Sequence, residues 1–141
     1  MAQTQKPTQK LYIAAAAAIS GAVHDAATHI ALDSGAISGG SETTNAPITE
    51  VTATGLTRAA ATVTVTTGTA PNNGINNVTQ ATHEFTMGDA GPLAVTGFEV
   101  MNAASTGNCL MWCAFAASQS MESGDKLTPT GKMEFQKEST S

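Results

Sequence analysis

The sequence predicts an all-β fold: an antiparallel β-sandwich or Greek-key barrel of seven to nine short strands behind an extended N-terminal arm. Three observations carry this. Clusters of Gly, Asn, Asp, Ser and Pro recur every 8–15 residues, the spacing of short strands joined by turns. Ala61, Val63 and Val65 alternate with Thr62, Thr64 and Thr66, a period of two. Residues 108–116 are apolar in both alternating sets, which reads as a central strand covered on both faces. The expected organisation is an arm and docking segment over 1–20, followed by a single β-domain over 21–141.

Each element follows from local chemistry. Residues 11–22 contain the alanine run Ala14 to Ala18, which has high helix propensity. Alanine also packs on either face of a buried strand, and the β character of the remainder tips the reading to strand. Thr28 to Leu32 is a strand stopped by Asp33-Ser34-Gly35, and 33–47 is a polar loop. Ile48 to Ala53 and Arg58 to Thr67 are strands. Gly68 to Asn77 is a turn region holding the hairpin dipeptide Asn73-Gly74, and Val78 to Met87 is the returning strand. Gly88 to Pro92 is a turn before the strand Leu93 to Met101. Asn108 to Ala116 follows as the central strand. Ser123-Gly124-Asp125 turns the chain into a last strand, Lys132 to Gln136, and a polar tail. No internal repeat is visible, and no helix longer than about two turns is required.

Charge excludes several function classes. Between Lys10 and Lys126 the one basic residue is Arg58, against nine acids, and the net charge is −5. A nucleic-acid binder needs a basic stripe, and an anionic membrane surface repels such a chain. No nucleic-acid or membrane partner is expected. An enzyme needs convergent titratable groups. No Gly-x-Ser-x-Gly, Gly-x-Gly-x-x-Gly or Walker sequence occurs, so no catalytic residue, cofactor or metal is assigned. Charged residues make up only 12% of the chain, about half the usual share, which predicts a surface covered by further copies, most simply as a homotrimer.

The remaining candidates are few. On one strand, Cys109 and Cys113 would lie roughly 13 Å apart at about 3.3 Å per residue. A disulfide needs less than about 7 Å, so both read as free, buried thiols. His24, Asp25, His29 and Asp33 do not share a face at metal-ligand spacing, and His83-Glu84 is an isolated pair on a solvent-facing strand. Asn77-Val78-Thr79 matches a glycosylation acceptor by chance. Lys6 and Lys10 precede the apolar run Leu11 to Ile19, which has the outline of a secretory leader. The run is mostly alanine, and nine residues are too few to span a bilayer. The preferred reading is a polar arm, 1–10, followed by a docking segment, with Lys6, Lys10, Leu11 and Tyr12 as the contact residues. A working leader would instead indicate a secreted adhesin-like module.

Arg58 is the one residue whose position asks for a partner. Glu50 lies eight residues upstream across Thr54-Gly55. If Gly55 bends the chain, the two side chains meet in a bidentate guanidinium–carboxylate pair. The alternatives are an exposed cation or an ion pair between subunits.

One set of segments carries a resemblance. These are Thr28 to Leu32 with Gly35; Glu50 with Gly55-Leu56-Thr57-Arg58; Ala94 through Ser105; and Ser123 to Leu127. Over roughly residues 28–136 the chain resembles small virion proteins of tailed bacteriophages, labelled tail-fibre or head decoration (cement) proteins. Relatives often carry Gly-Gly and two leucines after Ala-Ala-Ser, where this chain has Thr106-Gly107 and Cys109-Leu110. The resemblance implies a β-sandwich virion component without enzymatic activity, folded in the host cytoplasm. An acidic chain with an arm to clamp neighbours then suits decoration of the outer capsid surface, with the major capsid protein and copies of itself as partners. A tail-fibre role is the alternative, although one Trp and one Tyr give little for stacking sugars.

Overall fold

The computed structural model describes residues 9–35, 49–70 and 74–137. It contains one helix, α1 (Gln9–Ala26), and nine strands. These are β1 (His29–Asp33), β2 (Ala59–Ala60), β3 (Thr62–Ala70), β4 (Gly74–Thr82), β5 (Phe85–Thr86), β6 (Leu93–Met101), β7 (Cys109–Met121), β8 (Lys126–Leu127) and β9 (Thr130–Lys137). All pairing is antiparallel. One sheet has the order β2-β1-β6-β7, a second β3-β4-β9, and β5 pairs with β8. The antiparallel β prediction agrees with this architecture.

The Thr-Val alternation explains the second sheet. Val63 opposes Ala81 and Val65 opposes Thr79; Ala81 in turn opposes Gly131 and Thr79 opposes Met133. Directly opposed residues share a face, so one face holds Val63, Val65, Thr79, Ala81, Gly131 and Met133 while Thr62, Thr64, Thr66, Lys132 and Glu134 lie on the other. The first face meets the four-stranded sheet. A Cβ placed on Gly131 would stand 2.4 Å from Met111 Cε and 2.9 Å from Val100 Cγ2. Glycine there lets the two sheets approach. Ile30, Leu32, Val95, Phe98 and Val100 from one sheet and Ala81 from the other join Phe85, Met87, Leu56 and Met121 in a single core.

The chain departs from expectation at several places: residues 68–70 and 74–77, expected as turn, are strand, the strand expected over 78–87 breaks after Thr82, and three further departures bear on the site. Residues 11–22 are helical, not strand: α1 runs unbroken through position 20, the expected junction of arm and domain. Alanine loses no side-chain entropy in a helix and buries little as a strand, so helix propensity prevails. The helix lies on the three-stranded sheet. Ala16, Ser20, Val23 and Ala27 turn towards the protein at helical spacing, and the Ser20 carbonyl accepts the Thr79 hydroxyl at 3.4 Å. Ile19 remains 46% exposed. Secondly, the segment expected as strand over 48–53 is, among the described residues, a single bridge from Glu50 to Asp33 followed by a turn.

The third departure matters most. β7 is the edge of its sheet, not its centre. Cys113, Ala114, Ala116 and Ala117 are exposed, and Leu110 is 39% exposed. Two-sided apolar character marks a strand that is covered on both faces, and the sequence does not say whether the cover comes from the same chain.

Candidate functional site

The sequence-predicted pair is brought together. Arg58 Nε donates to Glu50 Oε1 at 3.0 Å and Nη2 to Oε2 at 2.7 Å. The turn over 53–57 makes this possible: Leu56 N–H donates to the Ala53 carbonyl, and Gly55 has φ +79°. Any Cβ at Gly55 would fall 1.9 Å from the Thr86 carbonyl oxygen. The turn is pinned from outside as well, because Thr54 N–H donates to Asp89 Oδ2 at 2.7 Å. Hydrogen bonds from the Thr54 side chain and amide hold the Asp89 carboxyl below its usual range.

Arg58 does more than the sequence indicates. Its Nη1 donates to the carbonyls of Ala103 at 3.0 Å and Thr106 at 2.7 Å. Four of the five guanidinium donors are therefore engaged. The Arg58 side chain is 6% exposed and that of Glu50 29%. The loop that receives it is itself shaped: Thr106 has φ +51°, Gly107 has φ +81°, and Asn102 Oδ1 accepts the Asn108 N–H at 2.7 Å. Thr106-Gly107 was the available signal for this loop, but nothing local paired it with Arg58. Glu50, Thr52, Thr57, Arg58, Ser105 and Thr106 line an open cleft of about 330 Å³. Its cation is committed to backbone, so the cleft offers hydroxyls and amides and no free base or nucleophile pair.

Asp33 is a second structural knot. Fully buried, it accepts the N–H of Gly35 at 2.6 Å through Oδ1 and that of Thr49 at 3.2 Å through Oδ2. It ties β1 to the returning chain, while His29 Nδ1 lies 2.9 Å from the Thr28 hydroxyl and His24 pairs with Asp25 on the helix surface. Among the described residues no three potential ligands gather around one point. His83 stacks edge-on to Phe85 with ring centroids 4.6 Å apart, and Glu84 meets Lys126 at the surface. Asn77 is buried on β4, out of reach of a glycosylating enzyme.

The cysteines require a correction. Both are free, but neither is fully buried: Cys109 is half-buried and Cys113 is exposed. Both sit on the edge strand, one side of which has no pairing partner among the described residues. Partial burial and the nearby Glu99 carboxylate push the Cys109 thiol up to about 11.

Of the expected contact arm, Lys6 lies outside the described residues. Lys10, Leu11 and Tyr12 fall in the first turn of α1, whose backbone is helical and not extended. No helix among the described residues is long and apolar enough to cross a membrane.

Among known proteins, a family model described as Podophage GP4 fiber I protein gp80 matches residues 26–135. No curated protein and no solved structure matches.

Proposed function

The chain belongs to the podophage GP4 fiber I protein gp80 family, and from that membership we propose that it is a non-catalytic fibre-type component on the exterior of the phage particle. It acts through protein–protein contacts, as a homotrimer. The observation that carries this is the family match over most of the chain. The structure supplies a second support: Arg58, the cation of the central segment, is used to fasten a turn to a loop.

A second reading, decoration of the outer capsid surface with the major capsid protein as partner, is favoured by the single Trp and single Tyr, which give little for stacking sugars, and is compatible with the net charge of −5. A protein outside the shell never meets the packaged DNA, so acidity carries no penalty there. In this reading residues 1–10 supply part of the attachment, with Lys6 and Lys10 meeting acidic neighbours. Removing residues 1–8 then weakens attachment to particles while leaving thermal unfolding of the free protein unchanged.

Quantitative mass spectrometry on separated heads and tails distinguishes the two. Copies recovered with tails support the fibre, and copies on tail-less heads support decoration. A chain absent from purified particles overturns both.

A further inference from the structure

An edge strand presents a row of unpaired N–H and C=O groups, and monomeric proteins protect it with charge, proline or a bulge near its middle. β7 carries neither charge nor proline; its protection is limited to two irregularities in its pairing with β6, one at Leu110 and one between Ala114 and Gln119. Asn102 to Met121 is a run of twenty residues without a charged side chain or a proline, in a chain whose net charge is −5. The outer edge of β7 has no pairing partner among the described residues.

Both faces of the strand are apolar. Val100 opposes Met111 and Phe98 opposes Cys113, so Met111 and Cys113 share the core-side face, where the ring of Phe115 lies 6.0 Å from that of Phe98. Trp112 opposes Glu99 and Ala114 opposes Gly97, which places both on the other face, while Leu110 is the extra residue where the pairing slips. Yet Met111, Trp112 and Phe115 are only partly covered.

We propose that β7 is the surface through which copies of this chain assemble, each β7 lying against the β7 of a neighbouring copy around the symmetry axis. Charge permits a like partner here. Two copies, each at −5, repel over most of their surfaces, and the uncharged run is where they approach without that cost. Area agrees: β7 runs beside the nine residues of β6, a strip roughly 30 Å long at about 3.3 Å each, and two faces each about 10 Å deep give roughly 600 Å² per partner, the lower end for a specific interface. The assignment deepens the oligomeric reading above and depends on it only for the claim that copies meet.

The test uses the full chain and its native thiol. Cys113 is exposed on β7, whereas Cys109 is half-buried and protonated at neutral pH, so a short bis-maleimide reacts at Cys113. Wild type is expected to sediment above monomer mass and to give a covalent dimer. C113S loses the dimer and C109S retains it. A114K, which adds a charge at an exposed position, raises the self-dissociation constant about tenfold or more with an unchanged unfolding midpoint. A monomeric wild type at high concentration overturns the proposal. So does an oligomer that A114K leaves intact and that Cys113 does not cross-link, since copies then meet elsewhere. If wild type is monomeric and A114K abolishes attachment to particles, β7 binds another virion protein: the copy-to-copy proposal falls and the virion reading stands. If β7 assembly is found in a chain absent from particles, the virion reading falls and this proposal stands.

Discussion

Replacing Arg58 with alanine removes four hydrogen bonds at once and leaves Glu50 without its counter-charge. The magnitude follows from exposure. Breaking a fully buried pair by deleting one partner costs about 3–5 kcal/mol. Glu50 is 29% exposed and recovers some hydration, so the pair itself contributes about 1–2 kcal/mol. The Thr106 carbonyl is near solvent and finds water, whereas the Ala103 carbonyl is partly buried, and its loss adds about 1–1.5 kcal/mol. R58A is therefore expected to lose about 3 kcal/mol in urea unfolding, which corresponds to roughly a 10 °C fall in midpoint temperature for a domain of this size. E50A should cost less, about 1–2 kcal/mol, because the two carbonyl anchors survive. R58K keeps the charge but not the fork and should lie near R58A. Equal losses for E50A and R58A would refute the claim that Arg58 anchors the loop at 103–106. Strict additivity in the double mutant would refute the pair.

Three further outcomes are expected. G55A should cost more than about 3 kcal/mol, since positive φ strain is joined by a clash with the Thr86 carbonyl, and its urea midpoint reads this directly. D33N should cost about 1–3 kcal/mol, because an amide cannot accept from both Gly35 and Thr49, and exchange of those two amide protons should accelerate selectively. Cys109 gives a pH signature: its thiol is raised from 9.0 to about 11 in the folded chain, so above pH 9 the unfolded state loses a proton that the folded state keeps. The thiol's contribution is fully present below pH 9 and is lost as pH rises towards 11. The stability difference between wild type and C109A should fall across that window, and a flat difference would contradict the assignment.

The sequence by itself determined the parts whose causes are local. Alternation in 61–66 and the Ser123-Gly124-Asp125 turn specify a strand and a reversal within a few residues, and the observed β3 and the turn before β8 agree with them; Asn73 lies outside the described residues, and Gly74 belongs to β4. Arg58 stood out because a lone cation in an acidic, hydroxyl-rich stretch needs a partner within reach, and Glu50 was near. Tertiary structure decided what depends on neighbours distant in the chain. Alanine at 14–18 suits helix or buried strand alike, and the available sheet face settled it as helix. The carbonyls of Ala103 and Thr106 are acceptors carried by every residue, so no side-chain signal announces them. β7 shows the limit most plainly. Apolar residues on both faces state that the strand is to be covered, a property of each residue's transfer free energy. Which surface does the covering is a property of topology, and here the fold leaves that strand at an edge.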